Sequence, residues 1–148
     1  MTSRSDLHVA LCELLAEYFA RVDRIVDASA AEVFAQDGRM RLGPLVRDGR
    51  AEIAEYFGAR RAEEDQGGRK TRHLMGNLVV ERGDGKTATL RLQCLVFAAV
   101  GEFPLPSAAP ATIADFGADC VRSGDGWLIA ELRGRTTFSG ANAAPFAR

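Results

Sequence analysis

The second half of the chain is built from two β-hairpins, and that restricts the fold more than any other feature. Thr71 to Arg82 and Thr87 to Val100 are strand-like runs joined across Gly83-Asp84-Gly85. Ala111 to Arg122 and Trp127 to Phe138 repeat the arrangement about Gly124-Asp125-Gly126. Glycine and aspartate between such runs are the residues a tight hairpin turn needs. The first half has helical periods instead. Helices first and strands afterwards predict an α+β fold, with the helices packed on one face of an antiparallel sheet. A long, strongly bent sheet wrapped over a helix leaves a cone with an apolar interior, the shape of a small-molecule pocket.

The first helix is predicted from Asp6 to about Val26. Leu7, Leu11, Leu14, Leu15, Tyr18, Val22, Ile25 and Val26 share one arc, with Glu13, Glu17, Arg21 and Arg24 opposite. Ser29-Ala-Ala-Glu32 reads as a capping box opening a short second helix through Val33 and Phe34. Arg39 to Val46 reads as a short strand, broken by Gly43-Pro44 and therefore placed at a sheet edge. Asp48 is the predicted cap of a third helix from Ala51 to about Glu64, with Ile53, Tyr56 and Phe57 inward. Gly101 to Pro110 holds three prolines and reads as a stiff rim loop.

A length of 148 residues with 47% hydrophobic content suits one domain with a single core. That domain is expected over residues 1–138, followed by a loosely held tail over 139–148. With 19 basic and 20 acidic residues there is no basic field for nucleic acid, and no cationic patch for a membrane surface. No apolar run is long enough for a spanning helix. Met-Thr-Ser-Arg-Ser-Asp runs directly into a helix carrying Glu13 and Glu17, which is unlike a secretory leader. Cys12, Cys94 and Cys120 have no metal-ligand spacing, and an odd count on apolar stretches predicts buried free thiols in a reducing cytoplasm.

Of the two histidines, His8 opens the first helix and His73 lies in the strand Lys70-Thr-Arg-His-Leu-Met-Gly-Asn-Leu-Val-Val80. An imidazole titrates nearest neutrality of all side chains, so one planted in a core strand is either a packed, hydrogen-bonded ring or a base. Asp23 lies just past the edge of the apolar arc, beside Phe19 and Cys12. It is either a solvated boundary residue or a carboxylate facing a cavity roofed by the helix.

Five stretches together resemble a known family: Tyr18-Phe19-Ala20-Arg21-Val22-Asp23, Phe34-Ala35-Gln36-Asp37-Gly38, Asp48-Gly49-Arg50-Ala51-Glu52-Ile53, Thr71-Arg72-His73-Leu74-Met75-Gly76-Asn77, and Gly124-Asp125-Gly126-Trp127-Leu128-Ile129. They resemble the SnoaL-like group of the nuclear transport factor 2-like fold, alongside scytalone dehydratase and bile-acid 7α-dehydratase. The resemblance implies that His73 moves a proton, that Asp23 stands behind it, and that Tyr18 lines the same pocket. Tyr56, Phe19, Gln93, Phe97 and Arg135 are the implied substrate contacts, with no metal and no cofactor. A carboxylate behind an imidazole raises its basicity and fixes its tautomer, which suits proton abstraction beside a carbonyl.

The implied function is a lyase, isomerase or cyclase acting on a hydrophobic, oxygenated ring compound such as a polyketide or steroid. The pattern departs from the dehydratases at Gln93-Cys94-Leu95-Val96-Phe97-Ala98, where their second histidine or aspartate is missing. A non-catalytic ligand-binding or assembly module of the same fold therefore stands as the alternative. The small subunit of an aromatic-ring dioxygenase is a third reading, and it would need a large catalytic partner. Trp127 and the alternating apolar residues of the last two strands predict an outer sheet face that pairs in a symmetric homodimer.

Overall fold

The computed structural model describes residues 3–147; Met1, Thr2 and Arg148, which the expected domain and tail include, lie outside the described residues. Ser3 starts the first helix, α1 (Arg4–Val22), through a reciprocal cap in which its hydroxyl accepts from Asp6 N–H and its own N–H donates to the Asp6 carboxylate. Leu7, Leu11, Leu15, Tyr18, Phe19 and Val22 form its buried face. Each such aliphatic or aromatic side chain contributes roughly 1.5–3 kcal/mol by leaving water. The helix ends four residues before the predicted Val26. Asp23 is its C-cap, Arg24 turns to φ +60°, and Ile25 is exposed rather than on the apolar arc.

The chain continues as β1 (Phe34–Leu42), β2 (Leu45–Asp48), α2 (Arg50–Gly67), β3 (Arg69–Gly83), β4 (Thr87–Val100), β5 (Thr112–Ser123) and β6 (Gly126–Ser139). Two departures from the predicted elements have local causes. The Ser29 hydroxyl caps only a single 3-10 turn, Ala30–Val33, because Phe34 is drawn into a strand and its carbonyl accepts from the Arg50 guanidinium. Gly49, not Asp48, is the N-cap of α2, since the Asp48 carboxylate is taken by Arg39 at 2.6 Å.

The six strands form one curved sheet in the order β2-β1-β6-β5-β4-β3. Every pairing is antiparallel except β1 with β6, so the sheet is mixed rather than wholly antiparallel. The Gly43-Pro44 break closes a hairpin between β1 and β2, which leaves β2 at the edge and carries β1 inside. Asn77 adopts φ +54° where the β3–β4 register slips between Gly76 and Val79. Asparagine tolerates this left-handed backbone better than most residues, and such a bulge bends and twists the sheet. Further slips between β5 and β6 add to the curvature. Both helices pack on the sheet, α1 against β3 and β6 and α2 against β1, β2 and β3.

The core between α1 and the sheet includes Phe34, Met40, Leu90, Leu92, Ile129 and Leu132. Trp127 joins it at 7% exposure, and so is not part of an outer face. Gly140 N–H bonds Ala111 carbonyl at 2.7 Å, and Ala143 and Ala147 are buried against the body of the domain. Cys94 and Cys120 are buried free thiols, and burial pushes both up to about 12. Among the described residues no helix is long and apolar enough to cross a membrane.

Candidate functional site

The early end of α1 is what frees Asp23. As the C-cap it leaves the helix surface and turns towards β3, where its carboxylate is gathered by one short stretch of strand. One oxygen accepts from the His73 backbone N–H at 2.6 Å; the other lies 2.6 Å from His73 Nδ1 and accepts from the Thr71 hydroxyl at 2.8 Å. Burial is the largest influence on Asp23 and by itself raises its pKa. The hydrogen bonds and charge of His73, with the Thr71 bond, prevail and hold the carboxyl below its ordinary range. Asp23 is therefore an anion at neutral pH, and Nδ1 carries the proton of the shared bond. Nε2 is left as the edge of the ring able to meet a ligand.

His73 lines a cavity of about 1030 Å³ between the two helices and the sheet. Phe19 stacks on its ring, with centroids 5.2 Å apart and planes 17° from parallel, so the imidazole is held on one face as well as at Nδ1. Tyr18 lines the same cavity and is wedged edge-on among Phe19, Phe34 and Phe57. Burial raises the Tyr18 phenol well above its usual range, so it stays protonated. Among the described residues its hydroxyl meets only the weak acceptor Met40 Sδ, at 3.9 Å, which leaves a strong donor for a ligand oxygen. Tyr56 also lines the cavity, with the Arg47 guanidinium 5.5 Å from its ring centroid.

Three predicted contacts are not brought to this space. Gln93, Phe97 and Arg135 do not line the cavity: Gln93 and Arg135 are exposed, and Gln93 accepts instead from the Asn77 side chain at 2.6 Å. The reason is strand alternation. On β4 the inward set is Cys94, Val96 and Ala98, and on β6 it is Gly134 and Thr136, so Gln93, Phe97 and Arg135 between or beside them face away. The β4 wall of the cavity is Val96, Ala98, Ala99 and Val100, with no acid or base among them.

Other polar residues of the cavity escaped the sequence reading. Arg60 and Glu64, one turn apart on α2, form an ion pair at 2.6 Å, with Glu64 buried and Arg60 half-buried. Arg60 also reaches the Thr71 hydroxyl at 3.3 Å, joining the pair to Asp23 and His73 through one side chain. Burial is the largest influence on Arg60 and works against its charge, but Glu64 more than offsets it. Two signals carried this network: the Arg60–Glu64 spacing of four on a helix, and the period-two set Arg69, Thr71, His73 on one strand. Residues 141–147 close part of the cavity wall. Among the described residues no group of three or more His, Cys, Asp or Glu side chains is placed to hold a metal ion.

The comparisons with known proteins agree with this architecture. ActVI-ORFA from Streptomyces coelicolor superposes with a TM-score of 0.76 at 18% identity, over 92% of this chain and 98% of that one. A Catenulispora acidiphila protein in complex with S-DNPA gives 0.72 at 18% identity, over 90% and 95%. An NTF2-like protein with a cystatin-like fold from Novosphingobium aromaticivorans gives 0.70 at 22% identity, over 100% and 99%. Identities this low speak to the fold alone. No curated protein matches the sequence. The model of the SnoaL-like domain matches residues 3–133, nearly the whole chain, and on that match the protein belongs to the SnoaL-like family.

Proposed function

We propose that the protein is a cofactor-free lyase, isomerase or cyclase whose His73 removes a proton from a carbon beside a carbonyl of a hydrophobic, oxygenated ring compound. The observation that carries this is the 2.6 Å contact of His73 Nδ1 with the buried Asp23 carboxylate, on a ring that lines a large cavity. Nε2 takes the proton, the C–H pair moves into the carbonyl, and the developing enolate oxygen accepts from the Tyr18 hydroxyl. Asp23 supports the imidazolium that results. The Catenulispora acidiphila protein, of the same fold and in complex with S-DNPA, supports a small-molecule role for the cavity.

The test is deuterium uptake from D2O at the α-carbon of 2-tetralone, followed by proton NMR. The protein should exceed free imidazole at equal concentration, and His73→Ala should lose about 10²–10⁴-fold. Equal exchange by the two proteins would remove His73 from the role. Water elimination is a poorer fit than isomerisation or cyclisation, because the β4 wall offers no acid to a leaving hydroxyl. The same wall favours, as the second reading, a module that binds such a ligand without turning it over. In that case ligand binding persists while exchange never exceeds the imidazole control.

The proposal extends to assembly and location. Leu74, Leu95, Ile113 and Phe138 are register partners across β3, β4, β5 and β6, and form a cross-strand apolar row on the side away from the helices. Leu74 is 57% exposed and Phe138 68%. Beside it runs a polar row containing Gln93, Asp115 and Arg135, whose opposite charges suit a face meeting its own copy about a two-fold axis. A symmetric homodimer is expected by light scattering at micromolar concentration, and Leu95→Lys should shift it to monomer. A wild-type monomer would rule this out. Free thiols suit a reducing compartment, the cytoplasm.

A further inference from the structure

Arg69, Thr71 and His73 occupy alternate positions of β3 and all line the cavity. At about 3.3 Å per residue, Arg69 and His73 stand about 13 Å apart along the strand, the length of two linked rings with a substituent. Arg69 is half-buried and makes no ion pair among the described residues. One of its nitrogens donates to Asn142 carbonyl at 3.1 Å, which leaves other donors of the guanidinium uncommitted. Glu64, the acid whose charge acts on Arg69, gives its carboxylate to Arg60 at 2.6 Å. The remaining acids of the cavity, Glu52, Glu55 and Glu63, sit on exposed positions of α2 where solvent screens them.

We infer that Arg69 is the anion-binding end of this cavity, and that the ligand is an elongated aromatic or polycyclic compound ending in a carboxylate, its reacting carbon held at His73. The inference rests on the proposed role of His73 only for the ligand's orientation. Two observations besides the spacing support it. Burial, followed by repulsion from Arg60, lowers the Arg69 pKa, so this cation is one that an anion would stabilise. The floor between the two poles is apolar or small, with Val96, Ala98, Ala114 and Phe116. A planar guanidinium matches a carboxylate with two parallel hydrogen bonds, which a neutral amide cannot reproduce.

The probes are 4′-hydroxybiphenyl-4-carboxylate and its primary carboxamide, titrated calorimetrically into wild type, Arg69→Met, Arg69→Lys and His73→Ala. Wild type should bind the carboxylate about ten-fold more tightly than the amide, as charge-assisted bonds allow. Arg69→Met, which keeps the apolar stem, should erase that preference, with the carboxylate losing more affinity than the amide. Arg69→Lys should retain part of it, and His73→Ala should keep it in full. A preference that survives in Arg69→Met overturns the inference. So does an equal loss for both probes, which would make Arg69 a tie for residues 140–147 and nothing more. If the amide binds wild type and the carboxylate binds no better, Arg69 fails alone and the His73 reading stands. If neither probe binds wild type, the cavity is not a site for this class of ligand and the inference falls, while exchange on 2-tetralone decides the His73 reading separately.

Discussion

Asp23→Asn should slow any proton transfer at His73 by about 10²- to 10⁴-fold while leaving the chain folded. The carboxylate accepts from the His73 backbone N–H, the Thr71 hydroxyl and the Nδ1 edge of the ring. An amide offers one acceptor oxygen and must turn its NH2 towards groups that donate. The ring then has reason to put its proton on Nε2, the edge the chemistry needs free, and its cation loses the charge behind it. Loss of these bonds should also cost about 1–3 kcal/mol of stability. The same carboxylate makes stability depend on pH. Its folded pKa lies below the ordinary 3.8, so its contribution is fully present above about pH 4 and is lost as pH falls through the folded value. Urea unfolding from pH 6 to pH 3 should show wild type losing more stability than Asp23→Asn over the acid part of that range. Parallel curves would mean that Asp23 is not held as the geometry implies.

The largest loss of stability is expected from Glu64→Leu. Glu64 is 7% exposed, and its carboxylate is the acid partner of Arg60. Removing it leaves the half-buried guanidinium of Arg60 without its acid; about 3–5 kcal/mol is the cost for a fully buried charge and sets the upper bound here. Taking both charges away should be milder, so Arg60→Leu combined with Glu64→Leu should recover part of the loss in urea midpoints. A double variant as unstable as the single one would locate the damage in packing rather than in the stranded charge.

Periodicity carried the legible part of the fold. The β3–β4 and β5–β6 hairpins were readable because Gly-Asp-Gly turns separate long runs, and α1 because its leucines recur at helical spacing. The parallel contact of β1 with β6 was not readable, since it joins segments from opposite ends of the chain and no local pattern encodes it. Facing was the other blind spot. Gln93 and Phe97 differ from the inward Cys94, Val96 and Ala98 only in parity, and with bulges in neighbouring strands parity is fixed by the assembled sheet alone. Asp23 and His73 were legible as an acid at a helix edge and a lone imidazole in a strand. Arg60 and Glu64 were not legible as part of the site, because four-residue spacing looks the same whether water or a cavity lies beyond it.

The bulge at Asn77 has a consequence for how such a chain can change over time. On its near side β3 presents Arg69, Thr71 and His73 to the cavity, and on its far side Val80 is packed into the same core as Leu7 and Leu11. β5 divides the same way, with Thr112 and Ala114 towards the ligand space and Ala118 and Cys120 in the dry interior. Apart from Thr71 and His73, which hold Asp23, substitutions at one end of these strands can therefore reshape what the protein accepts with little effect on the packing at the other. A lineage built on this plan is free to explore new ligands at little risk to its own integrity.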